Sequence, residues 1–168
     1  MTADIFSLEQ DDKPEHLVRE RLLAAFRGNE DAVRLIYDIR AIAHTWDDLI
    51  DGDKVATPAE IHQAFTAATV GLNLNAFFRQ HAALITPVLL TGILNWHAAN
   101  DLEKDGREHC LDVAYAIRCA VGDVALLCAF VTGGMAHAQA HAAQLRMLMQ
   151  QDRRDHYLND FKASSANA

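Results

Sequence analysis

Apolar residues recur along this chain at intervals of three and four, and almost nowhere at intervals of two, which predicts helices and no sheet. Only three prolines interrupt the pattern. Residues 1–13 are polar and read as a flexible N-terminus before a helical domain over 14–161, and residues 162–168 read as a disordered tail. Pro14, at a first helical position, opens a helix to about Phe26 that Gly28-Asn29 closes. The next helix, Glu30 to Ile50, is the most amphipathic. It carries Ala32, Leu35, Ile36, Ile39, Ile42, Ala43, Trp46 and Ile50 on one stripe, and Asp51-Gly52-Asp53 stops it.

Thr57-Pro58-Ala59-Glu60 combines an N-cap, a proline at N1 and a glutamate at N3, and predicts a short helix to about Thr69. Gly71–Asn75 reads as a turn and Ala76–Leu84 as a short helical piece. Thr86-Pro87 then starts a long helix to about Lys104, ended by Asp105-Gly106. A helix over about Glu108–Val131, stopped by Gly133-Gly134, and another over about Met135–Gln151 complete the chain. With no internal repeat, the expected fold is all-α, a single-domain irregular bundle of about five to six helices.

Composition narrows the class. The 168 residues are 51% hydrophobic and 23% charged, a globular balance with length enough for one core. The net charge of −8 argues against binding a nucleic-acid backbone, which needs clustered Lys and Arg. Cys110, Cys119 and Cys128 fall nine residues apart on one predicted helix, so successive thiols point to opposite sides and do not pair. Free thiols fit a reducing compartment, the N-terminus has no signal-peptide pattern, and no apolar run reaches the length of a membrane span. The expected location is the cytoplasm, with no membrane partner.

The candidate chemistry lies on the Glu30–Ile50 helix. Arg40, His44, Asp47 and Asp51 share one narrow strip at the edge of the apolar stripe, with Asp48 pointing further out. Three aspartates at a helix C-terminus oppose the macrodipole, and such local rule-breaking tends to mark function. A carboxylate pair one turn apart suits Mg²⁺ (or Mn²⁺), with Arg40 and His44 turned to the phosphates of a small phosphorylated molecule. On the predicted helix to Lys104, the buried stripe of Leu89, Leu90, Ile93 and Trp96 turns polar at His97, Asn100 and Lys104, with Asp101 on its edge. A site shared with the acidic helix would explain that change.

Asp47-Asp48-Leu49-Ile50-Asp51 is a DDxxD string that resembles the aspartate-rich motif of class I isoprenoid and terpene synthases. The resemblance implies an all-helical fold in which Asp47 and Asp51 bind Mg²⁺ gripping a diphosphate. Asn100, Asp101 and Glu108 resemble the second metal motif of that family, while Lys104 replaces a ligand and Gly106 interrupts the helix. The surrounding AHTWDDLIDGDK is also similar to small helical proteins encoded by bacteriophages.

The leading expectation is therefore Mg²⁺-dependent binding or turnover of a diphosphate-containing molecule. Asp47, Asp51, Asp48 and Asp101 would hold metal, and Arg40, His97, Asn100 and Lys104 would hold substrate. His44, Lys104 and Asp123 are the candidates for catalytic work, Asp123 because it falls on a helix apolar nearly all round. An all-α nucleoside triphosphate pyrophosphohydrolase is an alternative, with Asp48…Asp51 and Asn100…Glu103 as loose versions of its acidic pairs. A non-enzymatic protein is another, forming a homodimer, engaging a host protein if viral, or sequestering a phosphorylated molecule. His137 and His141, one turn apart, read as a weak zinc pair or, more simply, as packing residues.

Overall fold

Capping chemistry sets most helix boundaries. In the computed structural model, which describes residues 14–52, 54–150 and 153–159, no strand occurs among the described residues. The expected flexible N-terminus, 1–13, and the expected tail, 162–168, lie outside them. Helix α1 (Glu15–Ala25) starts after Pro14, and α2 (Glu30–Asp51) starts at Asn29, whose side chain accepts from the Ala32 amide at 2.9 Å. Gly52, at φ 68°, ends α2 in the left-handed conformation that favours glycine. Thr57 and Glu60 close a reciprocal capping box on α3 (Pro58–Thr66), as their spacing predicts.

Three breaks differ from the sequence pattern. The expected turn at Gly71–Asn75 is mostly helical: a π-turn (Ala67–Gly71) runs into one helical turn (Leu72–Leu74) before Asn75 caps the next helix. Pro87 does not start a helix but lies inside α4 (Ala76–Asp105), which kinks earlier, at His81. The helix predicted over Glu108–Val131 is two, α5 (Glu108–Ile117) and α6 (Ala120–Met149), parted at Arg118-Cys119. The chain does turn at Gly134, φ 77°, where the glycine pair predicts a stop, and continues as the second half of α6. Residues 154–159 form a last helical turn.

The core joins Val18, Leu22 and Phe26 of α1 with Leu35, Ile36 and Ile39 of α2, Ile85 of α4, and Val124, Cys128, Leu145 and Leu148 of α6. The α2 stripe is buried through Ile39 and then only half-buried at Ile42, Ala43 and Trp46, where it walls a cavity. On α4, burial follows Ile85, Gly92 and Ala99, which recur every seventh residue, whereas Leu90 and Ile93 of the expected buried stripe are exposed. The expected all-round burial of the Glu108–Val131 stretch also fails at its ends, since Val113 and Phe130 are exposed.

By length and composition α4 and the stretch containing α6 are each apolar enough to cross a membrane, where unbroken apolar runs predict none. Only 17% of the relevant α4 window is buried, so much of that apolar surface faces outward.

Candidate functional site

Two cavities meet on α2. The apolar one, about 310 Å³, lies between α2, α4 and the α5–α6 break, with Ile39, Ile42, Trp46, Leu89, Gly92, Trp96, Val121 and Met149 in its wall. The polar one, about 420 Å³, is bounded by Glu15 and Val18 of α1, Tyr37 to Asp48 of α2, Lys54, and Glu60 and Gln63 of α3. Arg40 and His44 line both. Their spacing of four stacks them on one ridge of α2, which is why both reach the seam.

Trp46 and Trp96 form the aromatic end of the apolar cavity, with ring centroids 5.2 Å apart, and His97 stands edge-on to both rings. The Trp96 indole Nε1 donates to Asp47 Oδ1 at 2.6 Å. Arg118 reaches the same oxygen with Nη1 at 3.3 Å, donates to Asn100 Oδ1 at 2.6 Å, and forks onto both oxygens of Glu103. Tyr157, from the last helical turn, donates its hydroxyl to Glu103 as well. The break after Ile117 allows this, because it points Arg118 back along α4 instead of around a continuing helix. Burial pulls the Arg118 guanidinium down, but the hydrogen bonds and negative charge of Glu103, with the charge of Asp47, hold it above its usual value.

The acidic cluster of the DDxxD string is divided among three environments. Asp47 is 37% exposed and belongs to the Trp96–Arg118 network. Asp48, expected to point further out, is more enclosed at 20% and faces Lys54 Nζ at 3.5 Å in the polar cavity. The strip geometry fails here because Trp96 and Arg118 draw Asp47 sideways while Lys54 folds back over Asp48. Lys54 also meets Glu60 at 3.1 Å, so an exposed ammonium sits between two carboxylates. Asp51 is exposed at the helix end. Among the described residues, no three His, Cys, Asp or Glu side chains gather closely enough to hold a metal ion.

Of the other expected site residues, Asn100 joins the network and His97 packs on the tryptophans. Asp101 and Lys104 are exposed and pair with each other at 3.0 Å, away from both cavities. Asp123 is not fully buried: it is 35% exposed and pairs with Arg146 from the second half of α6, lining neither cavity. Its partner is carried on the same helix, beyond the turn at Gly134. His137 and His141 stack on each other at 4.5 Å, and His137 Nε2 donates to the Ala25 carbonyl at 2.8 Å, a packing arrangement. The sequence pattern assigns Arg118 and Tyr157 no place in the site and Glu103 only half of a loose acidic pair with Asn100, and no glycine or proline marks the break that brings them together.

Two half-buried groups set the electrostatics of the seam. Burial, assisted by Arg40, lowers the His44 imidazole below its ordinary 6.5, outweighing the pull of Asp48 and Asp47. Between the lowered value and 6.5, the unfolded chain binds a proton that the folded chain refuses, so stability falls as pH drops through that window. His44→Gln is expected to flatten this part of the pH dependence, read by urea denaturation at about pH 7.5 and about pH 5.5. An equal slope in both proteins would refute the assignment. Tyr37, beside the polar cavity, has a buried hydroxyl without a hydrogen-bond partner, and burial first, then Glu15, raises it above the usual phenol value.

Comparison with protein-family models, with curated proteins and with solved structures finds no match to this chain.

Proposed function

We propose that this protein binds a small amphipathic molecule, its apolar body between Trp46, Trp96, Leu89 and Ile39 and its anionic head at Arg40 and His44. The observation that carries this reading is the shared wall, since Arg40 and His44 are where an apolar cavity opens into a polar one. Arg40 has no ion pair or hydrogen bond among the described residues, leaving a planar donor set that suits a carboxylate or phosphate. His44 stands beside it on the wall shared by the two cavities. The polar cavity also holds Glu15, Asp48 and Glu60, of which Asp48 and Glu60 are matched by Lys54. The reading is of capture, in keeping with a ligand-sequestering protein.

A Mg²⁺-dependent diphosphate site is the second reading, favoured by the placing of Asp48 on the same cavity as Arg40 and His44. A prenyl diphosphate has both parts of the required chemistry. Its Mg²⁺ would meet Asp48 only if Lys54 moved away.

Both tryptophans of the chain line the apolar cavity, so intrinsic fluorescence reports on that cavity alone. The expected result of titrating a long-chain carboxylate, or a prenyl diphosphate with and without Mg²⁺, is a saturable fluorescence change and a raised Tm. Arg40→Gln should weaken these head-bearing ligands about tenfold and leave the corresponding alcohol unaffected. A strict Mg²⁺ requirement would select the second reading. No change with any of them would sink both.

A further inference from the structure

The polar cavity has features that capture of a plain anion leaves unused. Its wall carries the cations of Arg40 and Lys54 and the carboxylates of Glu15, Asp48 and Glu60. Lys54 holds Asp48 at 3.5 Å and Glu60 at 3.1 Å, and Glu60 also accepts from the Thr57 amide at 2.7 Å. Glu15 is left over. Like that of Arg40, its side chain has no ion pair or hydrogen bond among the described residues. A molecule entering this cavity therefore meets one unpaired guanidinium and one unpaired carboxylate.

The Tyr37 hydroxyl belongs to the same wall. Its oxygen is buried without a hydrogen-bond partner, a condition that costs free energy until a partner arrives. Burial first, then the charge of Glu15, raise the phenol, whereas Arg40 and then Arg19 pull it down, so Glu15 and Arg40 both act on this oxygen. Arg19 is already committed to Glu30 at 2.6 Å. Arg40 follows Tyr37 by three residues on α2, which makes the two side chains neighbours on one face of the helix.

We propose that the head of the bound molecule is zwitterionic, with its oxyanion on Arg40 and the Tyr37 hydroxyl and its ammonium on Glu15. The head so assigned rests on the capture reading above and completes it. A purely anionic head satisfies Arg40 and Tyr37 but leaves Glu15 opposing it, in a wall where three carboxylates face two cations. A purely cationic head satisfies Glu15 and leaves the other two groups without a partner. Two sources supply both charges next to an apolar body: an α-amino acid with an alkyl side chain, and a phosphocholine amphiphile. At about 420 Å³ the cavity is about fourteen times the roughly 30 Å³ share of a water molecule, which is room for either head.

Tryptophan fluorescence titrations of the full chain at about pH 7.5, below micelle-forming concentrations, test the head with matched tails. The ligands are dodecanoate, its α-amino derivative, dodecylphosphocholine and dodecyltrimethylammonium. One of the two zwitterions is expected to bind about threefold tighter than dodecanoate, and the tighter of them identifies the source; the cation should bind weakest. Glu15 is exposed, so Glu15→Gln leaves the fold intact. It should weaken the zwitterion about threefold and tighten dodecanoate about threefold, a crossing that a structural effect acting on both alike does not produce. Tyr37→Phe deletes the unpaired hydroxyl, so the empty protein should melt no lower than wild type while every oxyanion-bearing ligand binds about threefold more weakly. Zwitterions no tighter than dodecanoate, an order unchanged in Glu15→Gln, or wild-type affinity in Tyr37→Phe would overturn the zwitterionic head and leave the capture reading standing. No fluorescence change with any of the ligands would overturn both.

Discussion

Arg118→Met is expected to cost about 2–4 kcal/mol of stability, because it removes the partner of Glu103, Asp47 and Asn100 at once. The side chains are 22% exposed at Arg118 and 16% at Glu103, enclosed enough that water replaces the guanidinium poorly. The loss is mainly the penalty for leaving Glu103 charged and unmatched, and a second change tests that account. Arg118→Met with Glu103→Leu should recover a substantial part of the loss, a coupling that a double-mutant cycle of urea midpoints measures directly. If the single variant unfolds at the wild-type midpoint, the network is surface decoration. Loss of the Arg118 contact to Asp47 should also disturb Trp96, whose indole shares that carboxylate oxygen, so its emission is expected to shift along with stability.

Gly92→Val carries the second large effect. A Cβ built on Gly92 lies 2.6 Å from the Ala120 Cβ, closer than real carbon pairs come, where α4 crosses the first turn of α6. Neither atom is the end of a flexible side chain, so the helices themselves must separate. Overpacking of this kind is worth about 2–3 kcal/mol with valine. Alanine is expected to lose less, since the overlap is offset by the roughly 1 kcal/mol gained on replacing glycine in a helix. Gly92→Ala with Ala120→Gly exchanges the methyl group across the contact and should restore the wild-type Tm. Since both residues line the apolar cavity, Gly92→Val is also expected to abolish the ligand-induced fluorescence change. A Tm unchanged by valine would mean that the crossing is looser than described.

These two residues also mark what was legible in the sequence. Local chemistry was readable: Thr57 with Glu60, the glycine ends at Gly52 and Gly106, and the turn at Gly134 all sit where their residue types require. The helix that carries Arg40 and His44 was readable for the same reason, since its apolar period is clean from Ala32 to Trp46. Pro87 misled because proline is tolerated inside α4, where that side of the helix faces outward. The α5–α6 break was silent, because Ile117-Arg118-Cys119-Ala120 contains nothing that opposes a helix. What breaks it is tertiary: the fork from Arg118 to Glu103 and the approach of Ala120 to Gly92, residues distant along the chain. The DDxxD string was visible as a motif, but the split between Asp47 and Asp48 depends on Trp96, Arg118 and Lys54, which periodicity on α2 cannot rank.

The last helical turn has a consequence of its own. Its Tyr157 donates to Glu103 and stacks on Tyr115 at 5.4 Å, while Arg154 pairs with Asp112 and Glu108 of α5. Tyr157 is at the same time part of the wall of the apolar cavity. Fraying of this end and occupation of the cavity therefore draw on one set of contacts, and linkage makes their influence mutual. A molecule that leans on the Tyr157 ring slows release of this turn, and a protease that cuts within it loosens the grip on the molecule. Susceptibility of the turn at 154–159 to limited proteolysis is thus a gauge of whether the cavity is full, one that works without knowing what fills it.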